Sequence, residues 1–261
     1  MVSEQPVENR PLTGSRALIT GAAKRTGRSI ALDLARAGSD VVIHYQYSAE
    51  QAEQTAVKCR DLGVDAVTVS ADLSQPEPAA ELISNAINQT GPAIDILVNN
   101  VGNYPSGGPL ELDCDEFSRL LNTNLLAPYA LIRELVPMLS QGASADIINI
   151  GYSGAEHPVA NRHAMAYQIS KTSLLIMTRT LAQELGSQGI RVNMVSPGQL
   201  DNSVDLPGDI CDHIPLGYAG TERDMAGAIV YLLSDGRYIS GANIDVGGGY
   251  RMGLARRLES D

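Results

Sequence analysis

The sequence predicts an α/β fold, a mostly parallel sheet doubly wound with helices on both faces. Three observations point to it. Short runs rich in Val and Ile recur seven times along 261 residues. Stretches of helical length separate most of them, the alternation of a βαβ chain. The first run leads straight into a glycine-containing turn and then a helical stretch.

Residues 1–14 are polar and read as a flexible lead-in. Strands are expected at 17–20, 41–44, 66–69, 94–98, 146–150, 192–195 and 244–246. Their Val and Ile content and flanking turn residues suit strands buried on both faces. Helices are expected near 27–38, 49–62, 77–90, 115–140, 165–186 and 221–234. One domain over 15–250, followed by a tail at 251–261, is the simplest division. No linker, repeat or low-complexity stretch breaks it. In such a sheet ligands bind beyond the carboxyl ends of the strands, near the switch in strand order.

Composition narrows the partners. Hydrophobic residues make up 44% and charged residues 19%, ordinary for a soluble globular chain. A net charge of −11 argues against nucleic acid and against anionic lipid. No apolar run approaches the roughly 20 residues that span a bilayer. The first ten residues have no apolar stretch of the secretory kind. Cys59, Cys114 and Cys211 are scattered and odd in number, as expected of free thiols in a reducing cytoplasm. No metal site is expected: Cys211 and His213 are close in sequence but lack partner ligands.

The turn after the first strand reads Thr20-Gly-Ala-Ala-Lys-Arg-Thr-Gly27. Glycines at a strand–turn–helix junction let backbone amides approach a pyrophosphate at the positive helix N-terminus. The second strand runs into His44, Tyr45, Gln46, Tyr47 and Ser48, with no carboxylate to hold both ribose hydroxyls. Arg25 and Ser48 suit a ribose 2′-phosphate instead, which predicts NADPH/NADP+. Downstream, Tyr167 and Lys171 are four residues apart, hence on one face of a helix. An ammonium group beside a phenol lowers the phenol's pKa, making it a usable proton donor for carbonyl reduction.

With these motifs the chain resembles the short-chain dehydrogenase/reductase family over roughly residues 15–250, which implies a Rossmann-type sheet. Gly21 and Gly27 match the first and third glycines of the family's cofactor loop, and Arg25 stands where the second usually is. Lys24 and Thr26 lie in the same loop. Asp72, followed by Leu73, matches the residue that contacts adenine. Asn99, Asn100, Val101 and Gly102 resemble the motif that lies against the cofactor. Asn124 matches the asparagine of the family's proton relay, with Asn122 close by. The resemblance makes Tyr167 the proton donor and Lys171 the group that holds the nicotinamide ribose. Pro197 and Gly198 fall in the loop that caps the carboxamide, with Gln199 on the substrate side. Asn202 and Ser203 stand near the usual Thr.

The chain departs from the family at its catalytic serine. Aligned by strand, Tyr152 takes that place and Ser153 is its neighbour; the loop from Gly151 to Ala166 is about two residues longer than usual. Ser153 is the preferred carbonyl-binding group and Tyr152 the alternative. His157 and His163, in the same loop, are read as structural or substrate-lining.

Two reductase readings follow. One is reduction of a 3-oxoacyl thioester or similar ketone, as in 3-oxoacyl-carrier-protein reductases. The other is pteridine reduction, favoured by Gly-Ala-Ala-Lys-Arg, His44, Tyr45 and Ser48. Against it, Tyr104 stands where a stacking Phe is expected, and Tyr152 where those reductases place an Asp; the short lid between Ser203 and Ile214, with Asp205, Asp209 and Asp212, suits a small or uncharged substrate. A non-catalytic NADPH-binding regulator is a third reading, opposed by the intact Tyr167, Lys171 and Asn124. The resemblance also implies a homotetramer, or a homodimer, built on helices 115–140 and 165–186 and the last strand.

Overall fold

The Val- and Ile-rich runs form seven strands: β1 (Arg16–Ile19), β2 (Asp40–Tyr45), β3 (Ala66–Ser70), β4 (Ile96–Asn99), β5 (Ala145–Ile150), β6 (Ile190–Pro197) and β7 (Asn243–Val246). They come from a computed structural model that describes residues 10–105, 108–141, 145–203 and 208–250. All pair in parallel, in the order β3-β2-β1-β4-β5-β6-β7. The chain moves outward from β1 to β3, then returns to β4 on the other side of β1. The crevice therefore opens above the carboxyl ends of β1 and β4.

Helices cover both faces. On one lie α1 (Arg25–Arg36), α2 (Ala49–Asp61) and α7 (Glu222–Leu233), packed through Ile30, Leu34, Ala56 and Ile229 onto Ile19, Ile43 and Val98. On the other lie α3 (Pro76–Thr90), α5 (Ala127–Leu139) and α6 (Met165–Leu185), with Ile83, Leu131 and Leu135 against Leu18, Leu97 and Ile147. Neighbours Leu18 and Ile19 face opposite layers, the period-two alternation of a strand buried on both sides.

Two boundaries differ from expectation. Residues 10–14 are not a loose lead-in: Leu12 is buried and its N–H donates to Ala37 O. The folded unit thus begins before residue 15, because Leu12 closes the end of α1. The helix expected over 115–140 is broken into α4 (Cys114–Leu121), a π-helical turn (Asn122–Leu126) and α5. Pro128 has no N–H to give to the carbonyl four residues back, and Ala127 N–H instead reaches Asn122 O, five residues back. The wider turn leaves Asn124 fully buried.

Among the described residues no helix is long and apolar enough to cross a membrane, and no group of His, Cys, Asp and Glu could hold a metal ion. Cys59 is buried, while Cys114 and Cys211 are exposed and free. The expected tail at 251–261, and Asp205 of the expected lid, lie outside the described residues.

Candidate active site

The loop after β1 is tied to the loop after β4 by one hydroxyl and one side-chain amide, each meeting main-chain atoms. Thr20 Oγ1 accepts from the N–H groups of Asn100 (2.9 Å) and Val101 (3.1 Å), and Asn100 Nδ2 donates to Thr20 O at 2.8 Å. Gly21 has φ +66°, and a Cβ on it would lie 2.8 Å from Val101 Cγ2. A Cβ on Gly27 would lie 2.3 Å from Gly21 O. Both positions therefore require glycine, and the helix N-terminus closes directly onto the turn. Gly21 N–H donates to His44 Nδ1 (3.1 Å), and the other ring nitrogen faces Ala71 O at 3.1 Å. Nδ1 accepts, so the proton sits on Nε2. Burial pushes the His44 pKa down to about 4, against a smaller upward pull from the Ala71 carbonyl. His44 is thus a neutral pin between the ends of β1, β2 and β3.

Above this floor opens a cleft of about 870 Å³. Gly21, Lys24, Tyr45, Ser48, Asp72 and Tyr104 are among its lining residues. Asp72 Oδ1 accepts from Ser74 N–H (2.9 Å), and the buried Leu73 underlies them. Arg25 departs from expectation. It has φ +54°, does not line the cleft, and donates from Nη2 to Asn202 O at 2.7 Å. The acidic Glu222, held by Asn202, draws the guanidinium toward α7. Lys24, not Arg25, shares the cleft with Ser48. Thr26 is partly buried beside it.

The chemical centre forms where α6 passes the end of β4. Lys171 is buried, and its Nζ donates to Ile150 O at 2.8 Å. A Cβ on Gly102 would lie 3.0 Å from that Nζ. Asn124 Oδ1 accepts from Asn103 N–H (2.8 Å), while its Nδ2 donates to Asn103 O (3.0 Å) and Ser170 Oγ (3.1 Å). Of the two candidate asparagines, Asn124 therefore joins the site; Asn122 donates to Ser74 O instead. Burial lowers Lys171 to about 8. The expected lowering of Tyr167 is not found. Burial raises its pKa, followed by the phenols of Tyr104 and Tyr152.

The serine position also differs from expectation. Tyr152 is buried against Leu174, Leu175 and Met194, with its hydroxyl 3.3 Å from Thr172 Oγ1. Ser153 points the other way, donating from Oγ to Tyr250 O at 2.6 Å, and its N–H donates to Pro197 O. The Ser153 hydroxyl expected at the carbonyl is thus bound to backbone near β7. Gly198 packs on Gly247, and Gln199 Nε2 is 3.5 Å from Tyr250 OH. The Tyr104 ring meets the Tyr167 ring edge-to-face, with centroids 4.9 Å apart. His157 is exposed, and His163 lines a separate hollow beside Glu111 and Glu116. Sequence reasoning missed Thr20, Asn103 and Tyr250. A Thr closing the first strand is a readable signal for Thr20; nothing local marks Tyr250.

Residues 21–251 match the family model described as Enoyl-(Acyl carrier protein) reductase. The chain is 32% identical over 243 residues to the 3-oxoacyl-[acyl-carrier-protein] reductase FabG of Staphylococcus epidermidis, covering 90% of this chain and 98% of the relative. It superposes on a blue fluorescent protein from a metagenomic library, solved in complex with NADPH, with TM-score 0.85 and 34% identity over 92% of this chain and 99% of that one. The landomycin C-6 ketoreductase LanV, solved with bound NADP and rabelomycin, gives TM-score 0.82 and 33% identity over 92% and 97%. The family model covers most of the chain, and the relative is more than 30% identical over nine-tenths of it: the chain belongs to the short-chain dehydrogenase/reductase family.

Proposed function

We propose that the protein is an NADPH-dependent reductase of a ketone, a 3-oxoacyl thioester or a similar carbonyl. The convergence of Lys171, Gly102 and Asn124 at the end of β4, one helical turn from Tyr167, carries this reading. The similarity to FabG and LanV supports it.

The residues fit the cofactor. Gly21 and Gly27, where a Cβ would meet Val101 Cγ2 and Gly21 O, let the turn close tightly at the N-terminus of α1, where a pyrophosphate would sit. The cleft holds Lys24 and Ser48 beside the end of β2, where residues 44–48 carry no carboxylate. Lys24 and Ser48 would hold a 2′-phosphate, and Asp72 the adenine edge. When bound, NADPH supplies the hydride that adds to the carbonyl carbon.

The chain supplies the proton. Tyr167 donates to the carbonyl oxygen and transfers its phenolic proton as that oxygen gains charge, leaving an alcohol and a phenolate. With its pKa lowered to about 8, Lys171 is an acid matched to near-neutral pH, able to restore that proton. Asn124 fixes Asn103, and with it the loop that carries Tyr104. Apolar residues exposed on the two helices, Leu126, Tyr129, Ile169 and Ile176, support self-assembly there.

The test is NADPH oxidation by the purified protein with an acetoacetyl thioester or a dihydropterin, with Tyr167→Phe as control. Thioester turnover lost in the variant supports the ketone reading. Turnover of dihydropterin alone replaces it with pteridine reduction. Cofactor binding without turnover of either ends both.

A further inference from the structure

We propose that Ser153 is a positioning residue. Its hydroxyl ties the C-terminal turn, residues 247–250, to the end of β5, and this tie sets the affinity for the ketone and not the rate of its reduction. The inference deepens the ketone reading above and rests on it.

The tie is built from both sides. Ser153 is buried and donates twice, from its N–H to Pro197 O (2.8 Å) and from its Oγ to Tyr250 O (2.6 Å). A hydroxyl has one hydrogen to give, so none is left for a substrate carbonyl. Tyr250 N–H closes the turn on Gly247 O at 2.8 Å, and a Cβ on Gly247 would lie 2.7 Å from Ser153 Oγ. The hydroxyl keeps this place only against a glycine.

The turn carries the tie further, to the segment that follows β6. Gly198 N–H donates to Val246 O (2.9 Å), and Gly248 O accepts from Leu216 N–H (3.1 Å). Cβ atoms on Gly248 and Gly249 would lie 3.0 Å from Ile214 Cγ2 and 2.9 Å from Pro215 Cγ. Ser153 thus holds both ends of the segment, residue 198 and residues 214–216, through one short turn. All of this sits at the carboxyl ends of β5, β6 and β7, beside Ile150, whose carbonyl receives Lys171 Nζ at 2.8 Å. The large cleft that fits the cofactor is lined by none of these residues, which leaves this side of Lys171 for the ketone's substituents. A wall that holds the substrate equally before and during reaction acts on KM and leaves kcat alone.

The experiment compares wild type with Ser153→Ala in NADPH-dependent reduction of acetoacetyl-CoA, with NADPH affinity read separately by fluorescence. KM for acetoacetyl-CoA should rise about fivefold, the usual worth of one neutral hydrogen bond. Both kcat and NADPH affinity should stay within about twofold. A kcat loss larger than the rise in KM is the signature of a donor to the developing oxyanion and overturns the proposal. An unchanged KM, or a rise matched by an equal loss of NADPH affinity, overturns it too. Peptide-resolved hydrogen exchange on the free protein needs no substrate. In Ser153→Ala, peptides carrying the Leu216 and Tyr250 amides should exchange about fivefold faster, with those of α6 unchanged. If wild type does not reduce acetoacetyl-CoA, the ketone reading fails by itself; faster exchange then still upholds the tie, and unmoved exchange overturns it.

Discussion

The two halves of the crevice are built by different means. On the cofactor side, the ends of β1, β2 and β4 are joined by backbone amides, two glycines and the side chains of Thr20, His44 and Asn100. On the substrate side, the ends of β5 and β6 are joined to the C-terminal turn largely by hydroxyls and an amide, those of Ser153, Gln199 and Tyr250. The first design fixes where the main chain can go. The second depends on where each side chain points, and one residue of register reverses that. Tyr152 takes the interior slot beneath α6, so Ser153 faces the opposite side, toward Gly247.

The largest effect should come from the group on which both halves converge. Tyr167→Phe should reduce turnover by about 10³-fold or more while leaving NADPH affinity unchanged, since it removes the proposed general acid and not the cradle. Steady-state kinetics and a binding titration check this together. A next test sets one glycine from each half against the other. Gly27→Ala places a methyl 2.3 Å from the backbone oxygen of Gly21, which cannot yield without opening the turn. We expect NADPH affinity to fall about 100-fold, with a stability loss of roughly 2–3 kcal/mol. Gly247→Ala first meets the Ser153 hydroxyl at 2.7 Å, the end of a side chain that can rotate. Its effect on NADPH affinity should be below about tenfold. Equal losses would erase the distinction between the halves.

His44 makes the cofactor side sensitive to pH. Its folded pKa, about 4, lies below the unfolded value of 6.5. The unfolded chain therefore takes up the proton first. The contribution of neutral His44 is complete above about pH 6.5 and is lost as pH falls toward about 4, by at most about 3 kcal/mol at 1.36 kcal/mol per unit. Protonation also removes the acceptor for Gly21 N–H. Thermal denaturation at about pH 7 and about pH 5 should show a larger loss in wild type than in His44→Gln. An equal loss would assign the acid sensitivity to carboxylates alone.

The same contrast governs what could be read from the sequence. The strands, the glycine turn and the Tyr167–Lys171 face were legible because hydrophobic period and backbone need leave marks at fixed spacing. The choice of Asn124 over Asn122 needed the π-helical turn, whose cause, Pro128, is in the sequence but whose register is not. Ser153 was misplaced for a different reason. Its partner, Tyr250 O, is 97 residues away, and no local pattern encodes that contact. The phenol of Tyr167 was expected lowered because spacing puts Lys171 on its helix face but does not reveal that the phenol is buried beside two others.

Arg25 crosses the boundary between the halves and gives the smallest predicted effect. By sequence it belongs to the cofactor loop and suits a 2′-phosphate. By structure its guanidinium bonds Asn202 O, next to Glu222, across on the substrate side. Lys24, one residue earlier, lines the cleft with Ser48. An exposed ammonium facing a phosphate in partly screened solvent contributes on the order of 1 kcal/mol, about a fivefold change in affinity. Lys24→Ala should therefore cut the preference for NADPH over NADH about fivefold. Arg25→Ala should change it by less than about threefold and act mainly on the substrate KM, through the loop that starts at Asn202. The reverse ranking would assign the 2′-phosphate to Arg25, as the sequence suggests.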